Sequence, residues 1–94
     1  MNTKRKGGTN ERKSKKLLEV AGWYCAKSGA SLGEWDLVCC NKLGVLLVQV
    51  KSGGRLPSPE ERERLELFDN CPPNTEKYIH IWEDFKRNPR IIKI

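Results

Sequence analysis

The segment from Trp35 to Lys51 leaves this chain little choice of fold. Trp35 to Cys40 and Gly44 to Lys51 are runs of apolar and β-branched residues, the kind that suit a pleated, partly buried surface. Asn41-Lys42-Leu43-Gly44 between them supplies turn chemistry, so the simplest connection is a hairpin. A helix-turn-helix needs a helical centre and is excluded. The rest of the chain must be built around two paired strands.

Towards the N-terminus, Thr9 or Asn10 can cap a helix running to about Ala21, with Leu17, Leu18 and Ala21 inward and Gly22 as its stop. Trp23 to Lys27 reads as a strand, followed by the small-residue loop Ser28-Gly29-Ala30-Ser31. Towards the C-terminus, Ser58-Pro59-Glu60-Glu61 opens a second helix. Ser58 is its cap, Pro59 takes the first helical position and Glu61 closes a capping box; the helix should end near Phe68. Tyr78 to Trp82 and Ile91 to Ile94 read as two more strands. The order α-β-β-β-α-β-β predicts an α/β fold in which a mixed central sheet is flanked by helices. Trp23, Tyr24 and Trp82 belong to a core or an interface, and His80 points away from the face shared by Ile79 and Ile81. Glu60 to Glu66, with Arg62 and Arg64 interleaved, reads as a solvated helix face.

Ninety-four residues suffice for one folded domain, expected over residues 9–94. Residues 1–8 have nothing apolar that could anchor them beyond Met1, and read as a flexible basic arm. The charge is concentrated in this arm and the start of the helix after it. Residues 1–16 hold Lys4, Arg5, Lys6, Arg12, Lys13, Lys15 and Lys16 against Glu11 alone, a surplus equal to the whole chain's +6. A basic segment of this kind neutralises phosphates, or is simply a solvated terminus. No apolar run exceeds five residues, which excludes a spanning helix and a secretory signal, so a soluble cytoplasmic protein is expected. The cysteines, Cys25, Cys39, Cys40 and Cys71, lack zinc-knuckle spacing and read as free thiols in a reducing compartment, mostly buried.

The hairpin allows a test of geometry. If the turn is symmetric about residues 42 and 43, Cys40 opposes Val45 and Asp36 opposes Gln49. Opposed side chains lie about 4.5–5.5 Å apart, and Lys51 shares their face within about 7–8 Å of Asp36. A bulge at Gly44 would shift this register by one. An acid, an amide and an amine therefore gather at the end of two apolar strands. Asp36, the Gln49 side-chain oxygen, the Val50 carbonyl and the Glu11 carboxylate form an all-oxygen set suited to Mg²⁺, with Mn²⁺ as an alternative. Lys51 could then orient water or stabilise charge on a phosphate under attack. The same spacing also describes an exposed strand end with three polar side chains. In the same way, Glu11 could be a structural acid in the first turn of a helix.

Glu11-Arg12, Ala26-Lys27-Ser28-Gly29-Ala30-Ser31, Asp36-Leu37-Val38 and Val48-Gln49-Val50-Lys51 resemble, in order and spacing, the motif series of archaeal-type Holliday junction resolvases. These are members of the PD-(D/E)XK nuclease superfamily, with its restriction-endonuclease-like core. The resemblance implies that Glu11, Asp36 and Gln49 bind metal and that Lys51 is the catalytic lysine. It further implies that Ser31 sits on a loop approaching the scissile strand and that Arg12 and Lys27 contact DNA phosphate. Lys4, Arg5, Lys6, Lys15 and Ser28 complete the DNA-binding candidates. The implied activity is Mg²⁺-dependent resolution of four-way DNA junctions by a homodimer, with no organic cofactor. Three positions depart from the pattern: Gln49 for a glutamate, Trp35 for the nominal proline and Lys27 for an arginine. The first leaves room for a branched-DNA-binding module with little or no turnover, and a flap or nick nuclease would share the same metal site.

Overall fold

In the computed structural model, residues 3–28 and 33–94 are described. The hairpin has the symmetric register. Leu37–Asn41 (β2) and Gly44–Lys51 (β3) pair antiparallel from Leu37↔Val48 through Cys40↔Val45 to Asn41↔Gly44, with no bulge at the turn. The Asn41 side chain accepts from Leu43 N–H at 2.7 Å, which closes the turn. Gly44 is required by what lies beside it: at φ +152°, a Cβ there would stand 2.6 Å from the Asn74 carbonyl oxygen.

Tyr24–Lys27 (β1) pairs antiparallel with β2, while Thr75–Ile81 (β4) lies parallel to β3 and Arg90–Lys93 (β5) closes the far edge antiparallel. The result is one mixed sheet in the order β1-β2-β3-β4-β5. A parallel pair needs a crossover. Pro59–Leu67 (α2) supplies it, starting with the anticipated box: Ser58 Oγ accepts from Glu61 N–H at 3.2 Å, and Glu61 Oε1 accepts from Ser58 N–H at 3.4 Å.

The first helix, α1, covers Thr3–Val20, and so begins six residues before the expected cap at Thr9. Lys4, Arg5 and Lys6 are good helix formers, and Gly7-Gly8 tax a helix without forbidding it. The expected arm is thus helical from Thr3 onward. Its inward stripe is Asn10, Ser14 and Leu18, one residue every four, whereas Leu17 and Ala21 lie outward. Gly22 stops it as anticipated: at φ +99° it lets Gly22 N–H reach Glu19 O and Trp23 N–H reach Leu18 O, both at 3.0 Å.

The sheet has an apolar layer on each face. Cys25, Leu37, Cys39, Leu46 and Val48, with Leu18 of α1, form one. Trp35, Leu47, Leu65, Ile79 and Ile81 form the other, joined by Phe68, whose ring meets Trp35 edge-on at 6.0 Å. His80 points away from the face of Ile79 and Ile81. It lies with Trp82 under α1, where Ser14 Oγ is 2.9 Å from His80 Nδ1 and accepts from Trp82 Nε1 at 2.7 Å. Cys25 and Cys39 are buried free thiols facing each other across β1 and β2, but Cys40 is exposed. Tyr24 is also exposed rather than core. Among the described residues, no helix is long and apolar enough to cross a membrane.

Candidate active site

Asp36 stands just outside β2, next in sequence to Trp35, which is almost wholly buried and fixes the backbone there. Its N–H donates to Val48 O at 2.9 Å. Val48 is already the ladder partner of Leu37, so β2 leaves simple register at this residue, as at a bulge, and Asp36 does not oppose Gln49 as the symmetric hairpin predicts. The Asp36 carboxylate is thereby turned along β3, where Oδ2 accepts from Val50 N–H at 2.7 Å. Burial pushes the Asp36 carboxyl above the usual range, and the charges of Glu11 and Glu34 push the same way. The Val50 hydrogen bond and Lys51 pull against them.

Gln49 is 4 % exposed and donates through Nε2 to Glu34 O at 3.3 Å, and among the described residues its buried Oε1 has no hydrogen-bond partner. Lys51 Nζ lies 2.8 Å from Glu61 Oε2 of α2, and this partner draws the Glu61 carboxyl below its usual range. The helix face read as solvated therefore carries a side chain that holds the strand lysine. Glu61 uses one oxygen for the cap and the other for Lys51.

Glu11 arrives from α1 because of a contact that the sequence conceals. Asn10, expected as a possible cap, lies inside the helix, is buried, and donates through Nδ2 to Ser52 Oγ at 2.7 Å, pinning α1 to the end of β3. Glu11 follows, close enough to raise the Asp36 pKa and 3.7 Å from Lys27 Nζ. Arg12 is exposed and Lys15 half-buried on the same helix. Ser28 turns its hydroxyl to the Trp35 carbonyl, tying the loop to the residue before Asp36. Ser31 and the side chains of Lys4, Arg5 and Lys6 lie outside the described residues. Glu34 is an acid that the motif reading passed over; it accepts from Arg64 Nε at 3.0 Å while its carbonyl orients Gln49.

Among the described residues, no three His, Cys, Asp or Glu side chains cluster as a metal site. The donor set is different in kind: two carboxylates and an amide oxygen. An orphaned, buried oxygen on Gln49 and a desolvated carboxylate on Asp36, both at the same end of the hairpin, are donors of the kind a hard cation takes, so these residues fit Mg²⁺.

No protein-family model matches the chain, and no curated protein does. Among solved structures, it is similar to that of Hjc, a Holliday junction resolvase from Archaeoglobus fulgidus, a hyperthermophilic archaeon. The TM-score is 0.73 and the identity 26%, over 94% of this chain and 72% of that one. The chain is Hjc-like in its fold, and the resemblance first carried by four short motifs extends over nearly its whole length.

Proposed function

We propose that this chain is a metal-dependent, structure-selective DNA endonuclease that resolves four-way junctions by paired cuts as a homodimer. The observation that carries the reading is the convergence of Asp36, Gln49 and Lys51 at the β2–β3 end, with Glu11 nearby, on a fold shared with a junction resolvase. A hard divalent ion held by Asp36, Gln49, Glu11 and the Val50 carbonyl supplies Lewis acidity towards phosphate and a more acidic water. Asp36 is oriented for this by Val50 N–H, and the Glu34 carbonyl holds the Gln49 amide so that its oxygen is the atom left to bind. Lys51, fixed by Glu61, brings a positive charge to the phosphate oxygens as negative charge develops there. Arg12, Lys15 and Lys27 neutralise flanking phosphates, and Lys27 can exchange its loose pairing with Glu11 for one.

The test is to map cuts on matched junction, flap, nicked and linear duplexes with Mg²⁺ or Mn²⁺. Paired nicks near the branch are expected. Lys51→Ala should lower the cutting rate by about 10²–10³-fold and leave binding intact. Cutting that survives both Asp36→Asn and Lys51→Ala would sink the mechanism. One site per chain requires a partner for paired cuts, so a monomer in sedimentation together with single nicks would favour a nickase. Gln49 supports a second reading, a branched-DNA-binding module without turnover. Strong cutting that appears only in Gln49→Glu would select it.

A further inference from the structure

The loop from Glu83 to Pro89 leaves the sheet at the same end as the proposed active site. Trp82 N–H donates to Lys51 O at 2.8 Å, and Gly54 N–H donates to Trp82 O at 3.0 Å. Phe85, in this loop, has a φ of +65° and is, among the described residues, the one non-glycine at positive φ. Its side chain is fully exposed. A bulky residue in the left-handed region is disfavoured, and an aromatic ring left in water gives up its burial. Both features count against folding, so neither is explained by the stability of this chain.

What surrounds the loop is more specific. A groove beside it has an apolar floor that includes Leu17 and Trp82, and a rim of Lys13, Lys16, Lys86 and Arg87; among the described residues, none that lines it is acidic. Lys13 Nζ sits 5.4 Å from the centre of the Trp82 ring. Trp82 is three residues from Phe85, a chain span of at most about 11 Å. A second copy of this chain would bring like charges to the rim. A nucleic acid strand satisfies both the groove and the loop, with its phosphates on the four cations and the π-face of an unstacked base on the exposed Phe85 ring.

We propose that Phe85 is a base-stacking residue that covers the face of a base left unstacked where the arms part at the branch of the DNA, while Lys13, Lys16, Lys86 and Arg87 hold the adjoining phosphates. The inference rests on the branched-DNA-binding part of the proposed function and gives it a means of telling a branch from a continuous duplex. A linear duplex offers the same phosphates but no free base face.

The test places 2-aminopurine at the branch of a four-way junction and in a linear duplex of the same sequence, in EDTA so that neither is cut. The wild-type protein should raise emission from the junction. Phe85→Ala should abolish the rise and weaken junction binding about tenfold, within the range of one lost base–aromatic stack, with duplex binding unchanged within twofold. Phe85→Trp should restore both. Because the ring is fully exposed, Phe85→Ala should melt no lower than wild type, and Phe85→Gly should melt higher. The proposal is overturned if Phe85→Ala keeps the emission rise and binds the junction within twofold of wild type, or if it weakens junction and duplex equally. Cleavage by the wild type with Mg²⁺, run in parallel, separates the two readings. Cutting without a Phe85-dependent signal removes this inference alone, whereas the signal without cutting removes the nuclease and leaves the stacking role standing.

Discussion

Asp36 is held at a cost. Its carboxyl is raised chiefly by burial, so the folded chain binds that proton more readily than the unfolded one. Its contribution to stability is therefore full at low pH and is lost as pH rises through the folded-state value. At neutral pH the ionised group destabilises the fold. Asp36→Asn keeps an oxygen for Val50 N–H and removes the charge, so it should raise the melting temperature at pH 7, with the gain shrinking towards pH 3. If the carboxylate binds metal, a concentration of Mg²⁺ 100 times its dissociation constant should stabilise wild type by about 2.7 kcal/mol and do far less for the variant. Thermal melts at two pH values, with and without Mg²⁺, check both expectations. Glu61 is a second residue with a separable role. Gln can still close the capping box, but it cannot pair ionically with Lys51. Glu61→Gln should thus lower the rate of cutting about tenfold through a misplaced lysine, with DNA affinity and helix content unchanged. An equal loss in binding would show instead that Lys51 serves only to hold DNA.

The elements differ in how plainly the sequence announces them. The β2–β3 hairpin, α2 with its cap and the Gly22 stop depend on neighbours a few residues apart, and each is where local chemistry puts it. The start of α1 was hidden because Gly7-Gly8 lowers helix propensity without setting a boundary. Its inward face was hidden too, since apolar periodicity cannot reveal a stripe made of Asn10, Ser14 and Leu18. Ser52, His80 and Trp82, which satisfy the first two, lie at least 42 residues away in sequence. For the same reason hairpin symmetry brought Asp36, Gln49 and Lys51 to one strand end but not the departure from register that turns Asp36 to Val50 instead of Gln49, and Glu61 and Glu34 were not legible at all. The Ser14 cluster makes the packing of α1 on β4 sensitive to acid. Ser14 Oγ accepts from Trp82 N–H and, with its second lone pair and its proton, can complete a hydrogen bond to either tautomer of a neutral His80. Burial lowers the His80 pKa from its usual 6.5 to about 4, so its contribution is full above 6.5 and lost as pH falls through 4, about 3 kcal/mol in all. Urea midpoints should fall between pH 6.5 and 4 in wild type and much less in His80→Gln, whose side-chain oxygen can accept from Ser14.

At the scale of the whole molecule, charge and chemistry meet on one helix. The surplus of +6 equals that of residues 1–16, most of which α1 contains, and α1 also carries Glu11 to the candidate active site. If that segment grips phosphate as proposed, it also brings an acid towards Asp36, and the two roles should separate by position along it. Lys4, Arg5 and Lys6 precede Glu11 by five residues or more, over a turn of helix away. Their joint replacement by Ala should weaken junction binding and flatten its salt dependence, by up to about three in the slope of log affinity against log salt. The single-turnover rate at saturating protein should be nearly unchanged. Glu11→Gln should do the reverse, sparing affinity and its salt slope while slowing the chemical step. If the triple variant slowed single turnover as much as Glu11→Gln does, α1 would act as one unit that docks on DNA before the acid is in place, and the division of labour along the helix would be lost.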